Sequence, residues 1–156
     1  MKIEIGQPAP AFTLYNTEKK QVSLAEQKGS NVLLLFFPLA FTDVCTKELC
    51  AVRDNISTYN TLNAKVFGIS VDALHTLAKY KEDQNLNFTL LSDFNKDVSR
   101  LYETIYEMFG YNMKGVSKRS AFVIDKGGIV RYAEVLDNAG EVPDFLKIKN
   151  TLETLQ

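Results

Sequence analysis

The chain carries two cysteines, Cys45 and Cys50, and both fall in one stretch, F-P-L-A-F-T-D-V-C-T-K-E-L-C, running from Phe37 to Cys50. Any thiol chemistry must happen there. Cys45 stands two or three residues after Asp43 or Thr42, residue types that cap helices, and so belongs to the first turn of a helix. Unpaired N–H groups in that turn carry partial positive charge and favour a thiolate over a thiol. Thr42 places a hydroxyl three residues ahead of the sulfur, where it can donate to the sulfur or to an oxygen bound beside it. Pro38 fixes the backbone as the chain enters this turn. An exposed first-turn cysteine in electropositive surroundings has the profile of a reactive thiol.

Cys50 sets a geometric condition. Five residues along a continuous helix give a rise of about 7.5 Å and leave the two Cα atoms roughly 8 to 9 Å apart. Disulfides rarely span more than about 7 Å between Cα atoms. Either the first turns of the helix unwind when the two sulfurs join, or Cys50 is an inert packed residue. Metal binding is the other use of cysteine, but a C-x4-C pair with the single His75 far away does not supply four ligands at short spacing. No metal site or other cofactor is expected.

The rest of the sequence must position this stretch. With 156 residues, 46% of them hydrophobic and 24% charged, the composition is that of a globular protein, and one domain over residues 1–156 is expected. A net charge of -1 provides no basic field for nucleic acid or anionic lipid, and neither is expected as a partner. The segment from Met1 to Gly6 lacks the apolar core of a signal peptide, and no apolar run approaches transmembrane length, so a soluble, cytoplasmic protein is expected.

Phe12 to Tyr15 and Gln21 to Leu24, separated by polar residues, predict a small N-terminal hairpin. Val32 to Phe37 is apolar at every position, the pattern of a central strand buried on both faces. Cys45, Leu49, Val52, Ile56 and Tyr59 recur at helical spacing and predict one helix from about Asp43 to Leu62. A strand over Lys65 to Val71, a helix over Ala73 to Asp83, and a strand over Phe88 to Leu91 follow.

Ser92 or Asp93 offers a cap for a helix over Val98 to Phe109, with Gly110 to Lys118 as a loop. Tyr102, Tyr106, Phe109 and Tyr111 are expected mainly as core, with an exposed patch at a dimer contact or for an organic substrate as the alternative. Ala121 to Asp125 and Ile129 to Ala133 flank K-G-G and predict a hairpin. Pro143 opens a last helix with Phe145, Leu146, Ile148 and Leu152 as its inner face. A βαβ half followed by a ββα half gives an α/β, thioredoxin-like fold: a central mixed β-sheet with helices on both faces and an N-terminal β-hairpin extension.

The string from Pro38 to Cys45 matches the P-x-x-x-T-x-x-C signature of peroxiredoxins, which are thiol peroxidases. Thr46 and Glu48 fit the T-x-E that follows the cysteine in that family, Arg53 and Asp54 its R-D pair, and L-L-S-D ending at Asp93 a further segment. R-S-A-F-V-I-D from Arg119 to Asp125 resembles the segment that carries the family's active-site arginine. The resemblance implies that Cys45 attacks the peroxide, that Thr42 and Arg119 hydrogen-bond the peroxide oxygens, and that Pro38 shields the sulfur. Glu48 is assigned the orientation of Arg119.

A second cysteine five residues on resembles the bacterioferritin comigratory protein or peroxiredoxin Q group, in which Cys50 would resolve the sulfenic acid as an intrachain disulfide. F-P-L-A-F-T also resembles the one-cysteine alkyl hydroperoxide reductase E group, which implies an external thiol instead. The implied partners are hydrogen peroxide and organic hydroperoxides, with thioredoxin or a similar dithiol as reductant, for a monomer or homodimer. A non-catalytic thioredoxin-fold binding or chaperone module is the reading from another class. Against it stands the presence of Pro38, Thr42, Cys45 and Arg119 together.

Overall fold

The computed structural model describes residues 3–156. β1 (Thr13–Asn16) and β2 (Gln21–Ser23) pair antiparallel, with Thr13 opposite Ser23. Their turn is closed by the Asn16 side chain, whose Oδ1 accepts from the backbone N–H groups of Glu18 and Lys20 at 2.9 and 3.1 Å. β3 (Asn31–Phe36), α1 (Asp43–Asp54), α2 (Ile56–Thr61), β4 (Ala64–Ser70), α3 (Leu74–Asp83) and β5 (Thr89–Ser92) form two parallel crossovers. There follow α4 (Asp97–Leu101), a two-stranded ribbon of β6 (Ile105–Tyr106) and β7 (Val116–Ser117), the hairpin β8 (Ser120–Ile124) and β9 (Val130–Val135), and α5 (Phe145–Thr154).

Seven strands share one mixed sheet in the order β2-β1-β5-β4-β3-β8-β9. The N-terminal hairpin joins that sheet through β1, which pairs antiparallel with β5. β3 lies between parallel β4 and antiparallel β8 and is buried along its whole length. Side chains alternate across a strand, so the apolar run is divided between two faces. Leu33, Leu35 and Phe37 pack with Cys45, Leu49, Val52, Leu77 and Ile148 on one face. Val32, Leu34 and Phe36 pack with Phe12, Val98, Tyr102 and Val130 on the other. A strand covered on both faces needs a continuous apolar run, and β3 has one.

Four expectations are corrected. The helix after β3 does not run unbroken to Leu62: α1 ends at Asp54 and α2 starts at Ile56. At the break, Asn55 Nδ2 donates to the Ala51 carbonyl at 2.8 Å, taking the acceptor that its own backbone N–H would use in a continuing helix. The backbone N–H turns to Val52 O instead, at 3.1 Å.

The helix expected over Val98 to Phe109 is the short α4. Glu103 adopts a left-handed backbone, and the chain reverses so that Ile105 and Tyr106 pair with Ser117 and Val116. The stretch from Gly110 to Lys118, expected as a loop, thus contains strand β7. Asp93 does serve the start of α4, although it lies four residues ahead: its buried carboxylate accepts from Val98 N at 3.1 Å and Ser99 N at 2.6 Å. In α5, Ile148 and Leu152 face inward as expected, but Leu146 is 68% exposed.

Among the aromatics, Tyr102 and Tyr106 are core while Tyr111 is fully exposed. No helix among the described residues is long and apolar enough to cross a membrane.

Candidate active site

The site forms where β3 gives way to α1. Phe37 extends the strand by one more hydrogen bond, N–H to Ile69 O at 2.9 Å, and Pro38, which has no N–H, ends it. The loop from Pro38 to Thr42 then turns sharply, with Phe41 in a left-handed conformation. Two bonds fix that loop. The Ala40 N–H donates to Asp72 Oδ2 at 2.8 Å, and Thr42 Oγ1 donates to Leu39 O at 2.8 Å. The Thr42 hydroxyl was expected to donate to the Cys45 sulfur or to an oxygen bound beside it; here it donates to the Leu39 carbonyl and closes the loop ahead of the helix, and the Thr42 carbonyl takes the N–H of Thr46 at 2.9 Å.

Cys45 is 0% exposed, against the expectation of an exposed thiol, because it begins the buried stripe of α1 that continues through Leu49 and Val52. Glu48, one turn on, shares that inner face and is also buried. Arg119 reaches both. Ser120 pairs with Phe36 across the β3–β8 ladder, so Arg119 sits beside Phe37 and the start of the active loop. Its Nη2 donates to Cys45 Sγ at 3.2 Å, its Nη1 to Glu48 Oε1 at 2.7 Å, and its Nε to Ala139 O at 3.1 Å. All three faces of the guanidinium fork are engaged, and the side chain is almost fully buried.

The charges in this site depend on one another. Burial works against the Arg119 charge, but Cys45 and Glu48 outweigh it and hold the guanidinium above its ordinary value. Burial pushes the Glu48 carboxyl up to about 7, against the downward pull of Arg119. Its second oxygen, Oε2, is buried without a hydrogen-bond partner among the described residues.

A carboxyl whose folded value lies above its unfolded one holds its proton more tightly in the folded protein. The stability this contributes is complete below the unfolded value of 4.5 and is lost as pH rises through about 7. The loss across that window should be roughly 3 kcal/mol from this group. Urea unfolding of wild type and Glu48→Gln at a series of pH values measures it: the difference between the two should slope across the window, and parallel profiles would exclude a raised Glu48.

Cys50 is half-buried on the second turn of the same unbroken helix, and both cysteines are free. Its Sγ donates to Gln84 Oε1 at 3.5 Å. His75 is exposed on the first turn of α3. Among the described residues no group of three or more His, Cys, Asp or Glu side chains is arranged to hold a metal.

The structure thus brings Cys45, Glu48 and Arg119 into direct contact and leaves Pro38 and Thr42 shaping the loop above them. Sequence reasoning missed Asp72, which fastens the loop at Ala40 and itself accepts from Ser70 Oγ at 2.6 Å. Its place just past the carboxyl end of β4, beside β3, is a position where α/β sheets build sites, and that signal was available.

Known proteins resemble this chain over most of its length. Residues 5–133 match the AhpC/TSA family. A protein named peroxiredoxin bcp from Coxiella burnetii is 40% identical over 132 residues, covering 83% of this chain and 87% of its own. Alkyl hydroperoxide reductase E of Mycobacterium bovis is 37% identical over 145 residues, 91% of each chain. Among solved structures, the peroxidoxin BcpB of Mycobacterium tuberculosis superposes with a TM-score of 0.87 at 26% identity over 99% of both chains. The extent of the family match and of these relatives decides the membership that the thiol, guanidinium and carboxylate suggested: the chain belongs to the AhpC/TSA family and is a peroxiredoxin, a thiol peroxidase of thioredoxin-like fold.

Proposed function

We propose that the protein reduces hydrogen peroxide and small organic hydroperoxides with Cys45 as the attacking thiolate. The sulfur forms a bond to one peroxide oxygen as the O–O bond breaks. Cys45 becomes a sulfenic acid, and the departing oxygen takes a proton and leaves as water or alcohol. The observation that carries this reading is the 3.2 Å contact between Arg119 Nη2 and Cys45 Sγ, made where both groups are buried. A fixed donor in a site shielded from water stabilises charge as it spreads from sulfur to oxygen. Glu48 orients the guanidinium, Pro38 shields the sulfur, and Thr42 turns its hydroxyl from the Leu39 carbonyl to the bound peroxide.

Cys50 then attacks the Cys45 sulfenic sulfur, an S–S bond forms, and hydroxide leaves as water with the thiol proton. Thioredoxin or a similar dithiol reduces the disulfide, so thiols carry the electrons throughout, in a cytoplasmic monomer or homodimer. A second reading has an external thiol attack the sulfenic acid, and it draws on the separation of Cys45 and Cys50 along an unbroken α1. Treating the reduced protein with one equivalent of peroxide tests both readings by mass spectrometry. Loss of two hydrogens marks the disulfide; gain of one oxygen marks the second reading; no change in mass would sink both.

A further inference from the structure

α1 is tied to α3 by polar rungs that neither the peroxide step nor the core explains. Thr46 Oγ1 and Tyr80 Oη lie 2.9 Å apart, Cys50 Sγ donates to Gln84 Oε1 at 3.5 Å, and Arg53 Nη1 donates to Gln84 O at 2.6 Å. Thr46, Cys50 and Arg53 follow one another at four and three residues and so form one face of α1, while Tyr80 in α3 and Gln84, the residue that caps its C-terminal end, face them. The Tyr80 ring is fully buried, with Phe41 of the active loop 5.0 Å from it. Tyr80 therefore touches both the loop that leads into α1 and the first turn of α1.

We infer that Tyr80 and Gln84 are positioning residues that latch α1 in its wound form and thereby set the rate at which Cys50 reaches the Cys45 sulfenic acid. This rests on the reading that Cys50 resolves Cys45. The two Cα atoms stand roughly 8 to 9 Å apart in a wound helix. Disulfide formation must therefore undo the Thr46 and Cys50 rungs, while the Arg53 rung at the far end keeps the remainder of α1 docked.

The latch also decides a competition. The waiting sulfenic acid either condenses with the Cys50 thiol, releasing water, or attacks a second peroxide, breaking its O–O bond to give a sulfinic acid and water or alcohol. A latched helix prolongs the wait and favours the sulfinic acid.

Quenched-flow mass spectrometry of the reduced protein tests this by following sulfenic acid, disulfide and sulfinic acid over time. Tyr80→Phe and Thr46→Val each remove one hydrogen bond and should speed disulfide formation about fivefold. Gln84→Ala, which loses the weaker sulfur contact, should speed it about twofold. All three should yield less sulfinic acid at high peroxide, and the initial oxidation of Cys45 should keep its wild-type rate. Thr46→Ser, which restores the hydroxyl, should behave as wild type.

Val130→Ala, in the apolar cluster on the opposite sheet face, serves as the stability control and should lower the melting temperature without changing the disulfide rate. If Tyr80→Phe and Gln84→Ala form the disulfide no faster than wild type, or if Val130→Ala speeds it equally, the latch is wrong while resolution by Cys50 stands. If wild type forms no disulfide at all, resolution by Cys50 falls and the latch falls with it.

Discussion

Arg119→Met should slow the reaction of reduced protein with peroxide by two to three orders of magnitude, with Cys45→Ser, which has no reacting sulfur, as the zero point. The loss follows from geometry. Removing one fixed donor from a site that stabilises developing charge typically costs a factor of about 100 to 1,000 in rate, and Arg119 is the donor in contact with Cys45 Sγ. The same change leaves Glu48 buried without its partner. With the downward pull of Arg119 gone, burial holds a proton on the Glu48 carboxyl, and a buried polar group left unpaired costs about 1 to 3 kcal/mol.

These two consequences separate in a double variant. Adding Glu48→Gln to Arg119→Met removes the ionisable carboxyl and should restore stability above neutral pH, where an unpaired Glu48 would have to hold its proton, while the peroxide rate stays low. Stopped-flow kinetics and urea unfolding on the four proteins measure both quantities. Recovery of rate together with stability would mean that Arg119 acts by holding the fold and not by donating to the reacting atoms.

The elements that build this site were legible to different degrees, for physical reasons. Burial on both faces demands an unbroken apolar run, and Val32 to Phe36 has no other comfortable place than the middle of the sheet. The first-turn position of Cys45 was equally plain, because a capping residue type precedes an apolar stripe. Its burial could be read from the same stripe, which begins at Cys45 and turns the sulfur inward, although a reactive thiol suggested exposure.

Asn55 was invisible as a break because apolar spacing continues across it to Tyr59, and only the local competition of its side chain for the Ala51 carbonyl ends the helix. Tyr102 completes the apolar face of α4, so nothing in the spacing marks the reversal at Glu103. For Leu146 the spacing was in fact sufficient: it lies two residues before Ile148, about 200° away around the helix, on the side opposite to the core. Arg119 beside Lys118 reads as surface charge until strand register sets it next to Phe37, a long-range fact that only the family resemblance supplied in advance.

Cys50→Ser should leave the first turnover intact and abolish the ones that follow. Reduced protein should still consume one equivalent of peroxide at the wild-type rate, because Cys50 Sγ contacts Gln84 and not the Cys45–Arg119–Glu48 group. With thioredoxin or a comparable dithiol as the only reductant, steady turnover should then fall to the level of Cys45→Ser, and the product should carry one added oxygen on Cys45. Continued turnover would favour direct attack by the external thiol.

The helix adds an independent readout. A wound α1 keeps Cys45 and Cys50 beyond disulfide reach, so wild type should lose helical circular dichroism when one equivalent of peroxide is added and regain it on reduction. The Cys50→Ser protein has no disulfide to form and should keep its helical signal through the same treatment. Loss of helix in both proteins would assign the unwinding to the sulfenic acid itself, and loss in neither would require the two sulfurs to meet by a movement other than the opening of α1.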